Sequence, residues 1–240
     1  MVYKSKKQLK KLNDKEFFED IKKYIKSTHT FFEARLPELK VLAKRLHEEY
    51  DLKDFYKVFN RLWKSGYPEE RTLAVHTLEL YKEEFDIETW KNLKPKLKEI
   101  KSWDKLDKIS KDIIGEILLR KDIKDDLIKM SNSKDNWFIR MAIVANIPLI
   151  KKNDNLFAMK LINQHINSKE EAIQKANGWI LKEISEKDPE IVKTFILKNK
   201  NMPLVTFNKA TENLKDLRKI KSIKKLKDNA FSRVFFWKDN

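Results

Sequence analysis

Trp103 and Asp107 stand four residues apart in KSWDKLDKISKDII, residues 101–114. On a helix that spacing puts both on one face. The same face carries Leu106, Ile113, Ile114, Ile117 and Leu118 at helical intervals. Asp107 therefore sits at the edge of an apolar stripe, where a carboxylate is costly unless something compensates for it. Asp104 has a simpler account: with Ser102 as the cap, it lies at the second helical position and complements the helix dipole. Asp107 lies beyond the first turn, where the dipole is weak, although a pair with Lys111 is open to it. A tryptophan face attracts a desolvated cation by about 2 kcal/mol. A carboxylate stabilises positive charge that develops in a transition state. Together they suit a cationic reacting group.

Short amphipathic segments separated by polar breaks (SGYPEE, SNSKDN, NSKEE, EKDPE) position these residues, and no two-residue alternation is present. The expected fold is all-α. Four segments align in register: EERTLAVHTLEL, KLDKISKDIIGEIL, FIRMAIVANIPLI and IQKANGWILKEI. Their anchors, Arg71, Asp107, Arg140 and Lys175, are 36, 33 and 35 residues apart. Ala74, Ser110 and Gly178 give three of them a small residue three positions on, and Ile143 breaks the pattern. A period in the mid-thirties built from helix pairs is that of a HEAT-like solenoid, whose second helices line a concave groove. Arg71, Arg140 and Lys175 then share equivalent slots with Asp107, and Trp103, Trp137 and Trp179 fall one turn away.

The charge balance favours a polyanionic partner. Lysine and arginine number 53 against 37 acidic residues, for a net charge of +16, the electrostatic footprint of a nucleic-acid binder. The absence of cysteine excludes a disulfide scaffold and a zinc finger. His29, His47, His76 and His165 lie far apart without metal-ligand spacing, and three glycines cannot build a phosphate loop. An enzyme on this chain is expected to work without metal or cofactor. No apolar run is long enough to span a bilayer, and the start of the chain lacks the apolar core of a signal peptide. A cytoplasmic monomer is the expectation.

A cationic centre embedded in a nucleic-acid backbone satisfies both sets of residues. An alkylated purine in DNA is such an object: alkylation at N3 or N7 puts positive charge on the base and weakens its bond to the sugar. Cleavage then passes through an oxocarbenium-like sugar that an aspartate can stabilise while orienting water. The competing reading is structural. Solenoids carry internal aspartate and arginine pairs that bridge neighbouring repeats, with tryptophans as filler.

KSWDKLD (101–107), DNWFIRMAI (135–143) and SKEEAIQKANGWILKE (168–183) resemble, in order and spacing, characteristic segments of the AlkD family of DNA alkylation-repair glycosylases. The similarity runs from about Phe17 to Leu214. The resemblance implies a solenoid domain over 1–214, with 215–240 a basic extension. It implies Asp107 as the catalytic carboxylate, Trp103 and Trp179 as the aromatics that embrace the lesion's backbone and sugar, and Arg140 as a DNA contact beside the lesion. The implied partner is duplex DNA, and the implied reaction is hydrolytic release of 3-methyladenine or 7-methylguanine-type bases without a lyase step and without base flipping. The rivals are a HEAT-like solenoid that binds damaged or branched DNA without cutting it, and a protein-binding scaffold. Three departures stand out. Glu33 and Ala34 replace a glycine and an aliphatic residue, Ser102 stands where a second tryptophan is common, and the tail beyond Leu214 is longer and more basic than expected.

Overall fold

A computed structural model of the chain describes residues 36–64, 68–100 and 103–218. The expectations for His29, Glu33, Ala34, the Ser102 cap and the tail from Lys219 onward fall outside them. The chain divides into two compact units with the boundary between Phe85 and Asp86. Every described element is helical or a turn.

In the first unit, α1 (Leu36–Glu49) and α2 (Leu52–Lys64) pack on α3 (Pro68–Leu80). Leu42, Leu46, Phe55, Phe59, Leu62 and Leu73 fill the interface. Fully burying each such side chain contributes roughly 1.5–3 kcal/mol, and together they form the apolar contact that the three helices share. Tyr81 stacks on Phe55 at 5.3 Å and donates its hydroxyl to the Tyr50 carbonyl at 2.8 Å, which ties the end of the unit to the turn between α1 and α2.

The second unit is a run of helix pairs. Its first helices are α4 (Ile87–Leu93), α7 (Lys124–Ser131), α10 (Leu156–His165) and α12 (Pro189–Lys198). The second helices start with α5 (Trp103–Ile109), which runs through a π-helical segment, Ser110–Ile114, into α6 (Gly115–Arg120). They continue with α8 (Asn136–Val144), followed by α9 (Ile147–Lys151), then α11 (Glu171–Ser185) and α13 (Leu204–Ala210). They begin at residues 103, 136, 171 and 204, intervals of 33, 35 and 33. The breaks do what their residues dictate. Asp135 caps α8 by accepting from the Trp137 N–H at 2.9 Å, and Asp188 caps α12 ahead of Pro189, whose missing N–H costs nothing in the first turn.

The repeat is written again in the hydrogen bonds that join one pair to the next. Between first helices, the Trp90 indole N–H and the Lys94 ammonium donate to Asp126, while Ser131 shares a hydrogen bond with His165. Between second helices, Arg140 bonds to Asp107 and to the Ala172 carbonyl, and Thr206 donates to the Gln174 carbonyl. All of these partners lie 32 to 36 residues apart. Burial pushes the Asp126 carboxyl upward, but the hydrogen bonds from Lys94 and Trp90 outweigh it and hold the group below the usual carboxylate range. Burial likewise pushes His165 below its ordinary value, so the Ser131 pair carries a neutral imidazole at pH 7.

Small residues mark where second helices touch. A Cβ on Gly178 would meet the Lys209 Cβ at 2.6 Å and the Thr206 carbonyl at 2.9 Å. One on Gly115 would meet the Ala145 carbonyl and the Pro148 ring, each at 2.6 Å. Ala74, Ser110 and Ile143 are all buried, so burial alone does not set the size of the side chain in these slots. Gly115→Ala should therefore lower the melting temperature. Overpacking costs about 1–3 kcal/mol against backbone that cannot yield, more than the roughly 1 kcal/mol of helix propensity gained. An unchanged or higher Tm would show that α6 can shift away from Pro148.

Candidate functional site

Asp107 owes its position to what surrounds it on α5. Leu106, Ile109, Ile113, Ile114 and Ile117 are buried at 0–1% exposure and fix the face of the helix that turns inward. Asp107, at the margin of that face, keeps 15% of its side chain exposed. One turn later the helix widens. Ser110 is buried and donates its hydroxyl to the Leu106 carbonyl at 2.6 Å, at the start of the π-helical segment. Such bulges occur where a regular helix cannot satisfy both its own ladder and its packing. Gly115 then lets the helix close on Ala145 and Pro148, bringing α5 and α8 side by side. Periodicity predicts an unbroken helix here; the widened turn corrects that.

Arg140 meets Asp107 across this contact. Its Nε donates to Oδ1 at 2.8 Å and its Nη2 to Oδ2 at 2.6 Å, a bidentate pair. Its Nη1 donates to the Ala172 carbonyl on α11 at 2.6 Å. One guanidinium thus links three successive second helices. With only 9% of its side chain exposed, it is held as a fixed fork and not as a waving surface cation. The local pair that spacing leaves open is not made: Lys111 goes to Asp112 at 3.3 Å, as does Lys108 at 3.2 Å, and Asp107 faces Arg140. Each carboxylate oxygen retains a lone pair after the bidentate contact, and a guanidinium has five N–H donors of which three are used here. The pair can still accept from a water and donate to an anion.

Trp179 lies on α11, half-buried, its indole N–H donating to Glu183 Oε1 at 2.8 Å. Its neighbours Asn177 and Gly178 are buried, so the helix turns Trp179 to the opposite, open flank. Lys175, one turn earlier, is exposed and pairs with Glu171 at 2.8 Å, with the two side chains 60% and 69% exposed. Trp137 is half-buried in the first turn of α8, one turn before Arg140. The Trp103 backbone opens α5, and its side chain lies outside the described residues.

Asp107, Arg140, Trp137, Lys175 and Trp179 therefore sit on three adjoining helices of the second unit. Arg71 belongs to the first unit, where its Nε donates to the Trp63 carbonyl at 3.0 Å and its guanidinium lies 5.4 Å from the Trp63 ring centre. Two contributors escaped the sequence reading. The Ala172 carbonyl gives no side-chain signal. Glu183 does, since W-x-x-x-E places a carboxylate one turn beyond an indole. Among the described residues no three histidine, cysteine or acidic side chains gather as a metal site. No described helix is long and apolar enough to cross a membrane.

Three solved structures share this arrangement of helices. A protein of Enterococcus faecalis, described as a predicted DNA alkylation repair enzyme, aligns with a TM-score of 0.65 at 20% identity, covering 84% of this chain and 96% of that one. AlkD2 from Streptococcus mutans aligns with a TM-score of 0.60 at 19% identity, covering 82% and 97%. The smu.31 protein of Streptococcus mutans aligns with a TM-score of 0.56 at 20% identity, covering 85% and 96%. At these identities the likeness speaks for the helical-repeat fold. No curated protein matches the chain by sequence. Residues 5–214 match the profile of the DNA alkylation repair enzymes, which takes in every helix of the pairs above, and the chain belongs to that family.

Proposed function

We propose that the protein is a monofunctional DNA glycosylase that hydrolyses the bond between deoxyribose and a cationic N3- or N7-alkylated purine in duplex DNA. The observation that carries this reading is a fixed, partly exposed carboxylate, Asp107, locked by Arg140, which in turn bonds the helix that carries Trp179. The carboxylate faces the sugar as positive charge develops at C1′ and accepts a hydrogen bond from the attacking water. The C1′–N bond breaks, its electron pair neutralises the base, and the water oxygen bonds to C1′ while its proton leaves through Asp107 to solvent. No cofactor is required. The unused N–H groups of Arg140 contact a phosphate beside the lesion, and Arg71 and Lys175 add phosphate contacts. The indole faces of Trp103, Trp137 and Trp179 lie against sugar and backbone, so the base reacts without being turned out into a pocket.

A second reading has an observation of its own. The pair of Asp107 and Arg140 bridges repeats as a structural rung does, so a DNA-binding solenoid without chemistry would need nothing more. Single-turnover release of 7-methylguanine from a defined duplex separates the two. The glycosylase frees the base and leaves an intact abasic strand, whereas a binder leaves the glycosidic bond whole. A protein scaffold is distinguished by affinity: binding that neutralises many phosphates falls steeply with salt.

Trp179→Ala should slow release about 10- to 30-fold, the range that a cation–π contact near 2 kcal/mol represents, with only a small change in Tm because the ring is half-buried and fills no core position. A large drop in thermal stability with unaltered release would make Trp179 a packing residue.

A further inference from the structure

We infer that Glu183 is a positioning residue, which holds the indole of Trp179 in the orientation that meets damaged DNA; the inference rests on the glycosylase reading above. The contrast among tryptophans carries it. Trp63 and Trp90 are buried, at 3% and 2% exposure, and Trp90 uses its N–H to bond Asp126 in the next helix pair. Those rings hold the fold together. Trp179 is only half-buried, and its N–H goes to a carboxylate one turn on in its own helix. That bond joins no two parts of the chain. What it restrains is the ring itself, by narrowing the two side-chain torsions open to a ring that is packed on one side only.

The Glu183 carboxylate is available for this because Lys182 and Lys187 make their hydrogen bonds elsewhere, and Lys182 acts on Glu183 only through its charge. Lys182 pairs with Glu212 at 3.1 Å, and Lys187, one turn beyond Glu183, donates to the Lys151 carbonyl. Gly178 seats this part of α11 against α13, and the buried Asn177 donates to the His165 carbonyl at the end of α10, so the helix that presents the ring is itself fixed. An aromatic face attracts a cation only when the charge lies within about 6 Å of the ring centre, over its face. Rotation of the indole about its own torsions would replace that face with an edge. A hydrogen bond at Nε1, far from the Cβ pivot, resists such rotation with the best leverage the ring offers.

Glu183→Gln keeps an acceptor of the same reach, and Glu183→Leu removes it while retaining apolar cover. In a ¹⁵N–¹H spectrum, the indole N–H resonance that disappears in Trp179→Phe identifies Trp179. Glu183→Leu should move that resonance upfield and slow single-turnover release of 7-methylguanine about tenfold, as misplacement of a reaction's partner groups does. Duplex affinity and Tm should stay near wild type. Glu183→Gln should release within about twofold of wild type, since it conserves the geometry. A wild-type rate in Glu183→Leu overturns the inference, as does a Glu183→Gln rate as slow as that of Glu183→Leu. If the wild-type protein itself releases no base, the glycosylase reading falls and this inference falls with it. Wild-type release with an unaffected Glu183→Leu removes the inference alone.

Discussion

Asp107→Asn should cut the single-turnover release of 7-methylguanine by about 10²- to 10³-fold, the loss seen when one preorganised electrostatic contact to a transition state is removed. The substitution changes almost no volume. Its amide oxygen still accepts from Arg140, while the amide nitrogen brings a donor up against guanidinium donors. The variant thus loses the charge that faces the sugar and part of the contact that holds it. The folding cost is about 1–3 kcal/mol for a nearly buried hydrogen bond left half-made. Release is therefore to be compared well below the Tm of both proteins, with circular dichroism recorded alongside. A folded Asp107→Asn that releases base as fast as wild type would leave Asp107 as a rung of the repeat and remove the chemistry proposed for it. Salt-sensitive binding by both proteins without release would point to the non-catalytic solenoid.

The repeat was legible in the sequence because it has a physical cause that is local. Each helix pair must bury one stripe against its neighbours, so apolar positions recur with the period of the pair, and the anchors at Arg71, Asp107, Arg140 and Lys175 fall on α3, α5, α8 and α11. The small residue at Gly178 was equally visible, since close helix contact selects for side-chain volume. Other features were hidden for reasons equally physical. The π-helical turn after Asp107 depends on how α5 fits against α8 and α9, and no residue type encodes it; the Ser110 hydroxyl that closes onto Leu106 is as common in ordinary helices. Spacing left a Lys111 pair open beside an aspartate–arginine bridge between repeats, and Arg140 takes Asp107 because a planar fork with two parallel donors binds a carboxylate better than a point charge on a flexible stem. The hold of the Ala172 carbonyl on Arg140 is a main-chain contact, silent in any reading of side chains. The division at Phe85 has no composition shift to announce it. The spacing of Trp179 and Glu183 was available, but an i,i+4 pair acquires meaning only when the exposure of its members is known.

Arg140→Ala should be the most destabilising single substitution at the site. It strips both oxygens of Asp107 of their partners, leaves a carboxylate with only 15% side-chain exposure uncompensated, and frees the Ala172 carbonyl that tied α8 to α11. Breaking a largely buried ion pair from one side costs about 3–5 kcal/mol, which for a unit of this size lowers Tm by roughly 6–20 °C. The cost arises from the stranded charge more than from the lost attraction, and a second variant tests that distinction. In Asp107→Leu/Arg140→Met, no charge is left unpaired and the space is refilled with apolar atoms. Such replacements are often neutral for stability. The double variant should regain most of the lost Tm while releasing no 7-methylguanine. That combination would assign the pair to chemistry, because a purely structural rung replaced by an equally stable apolar contact leaves function intact. If Arg140→Ala melts with wild type, the guanidinium is not the link among three helices that its geometry describes. If the double variant still releases base, the catalytic carboxylate is another one.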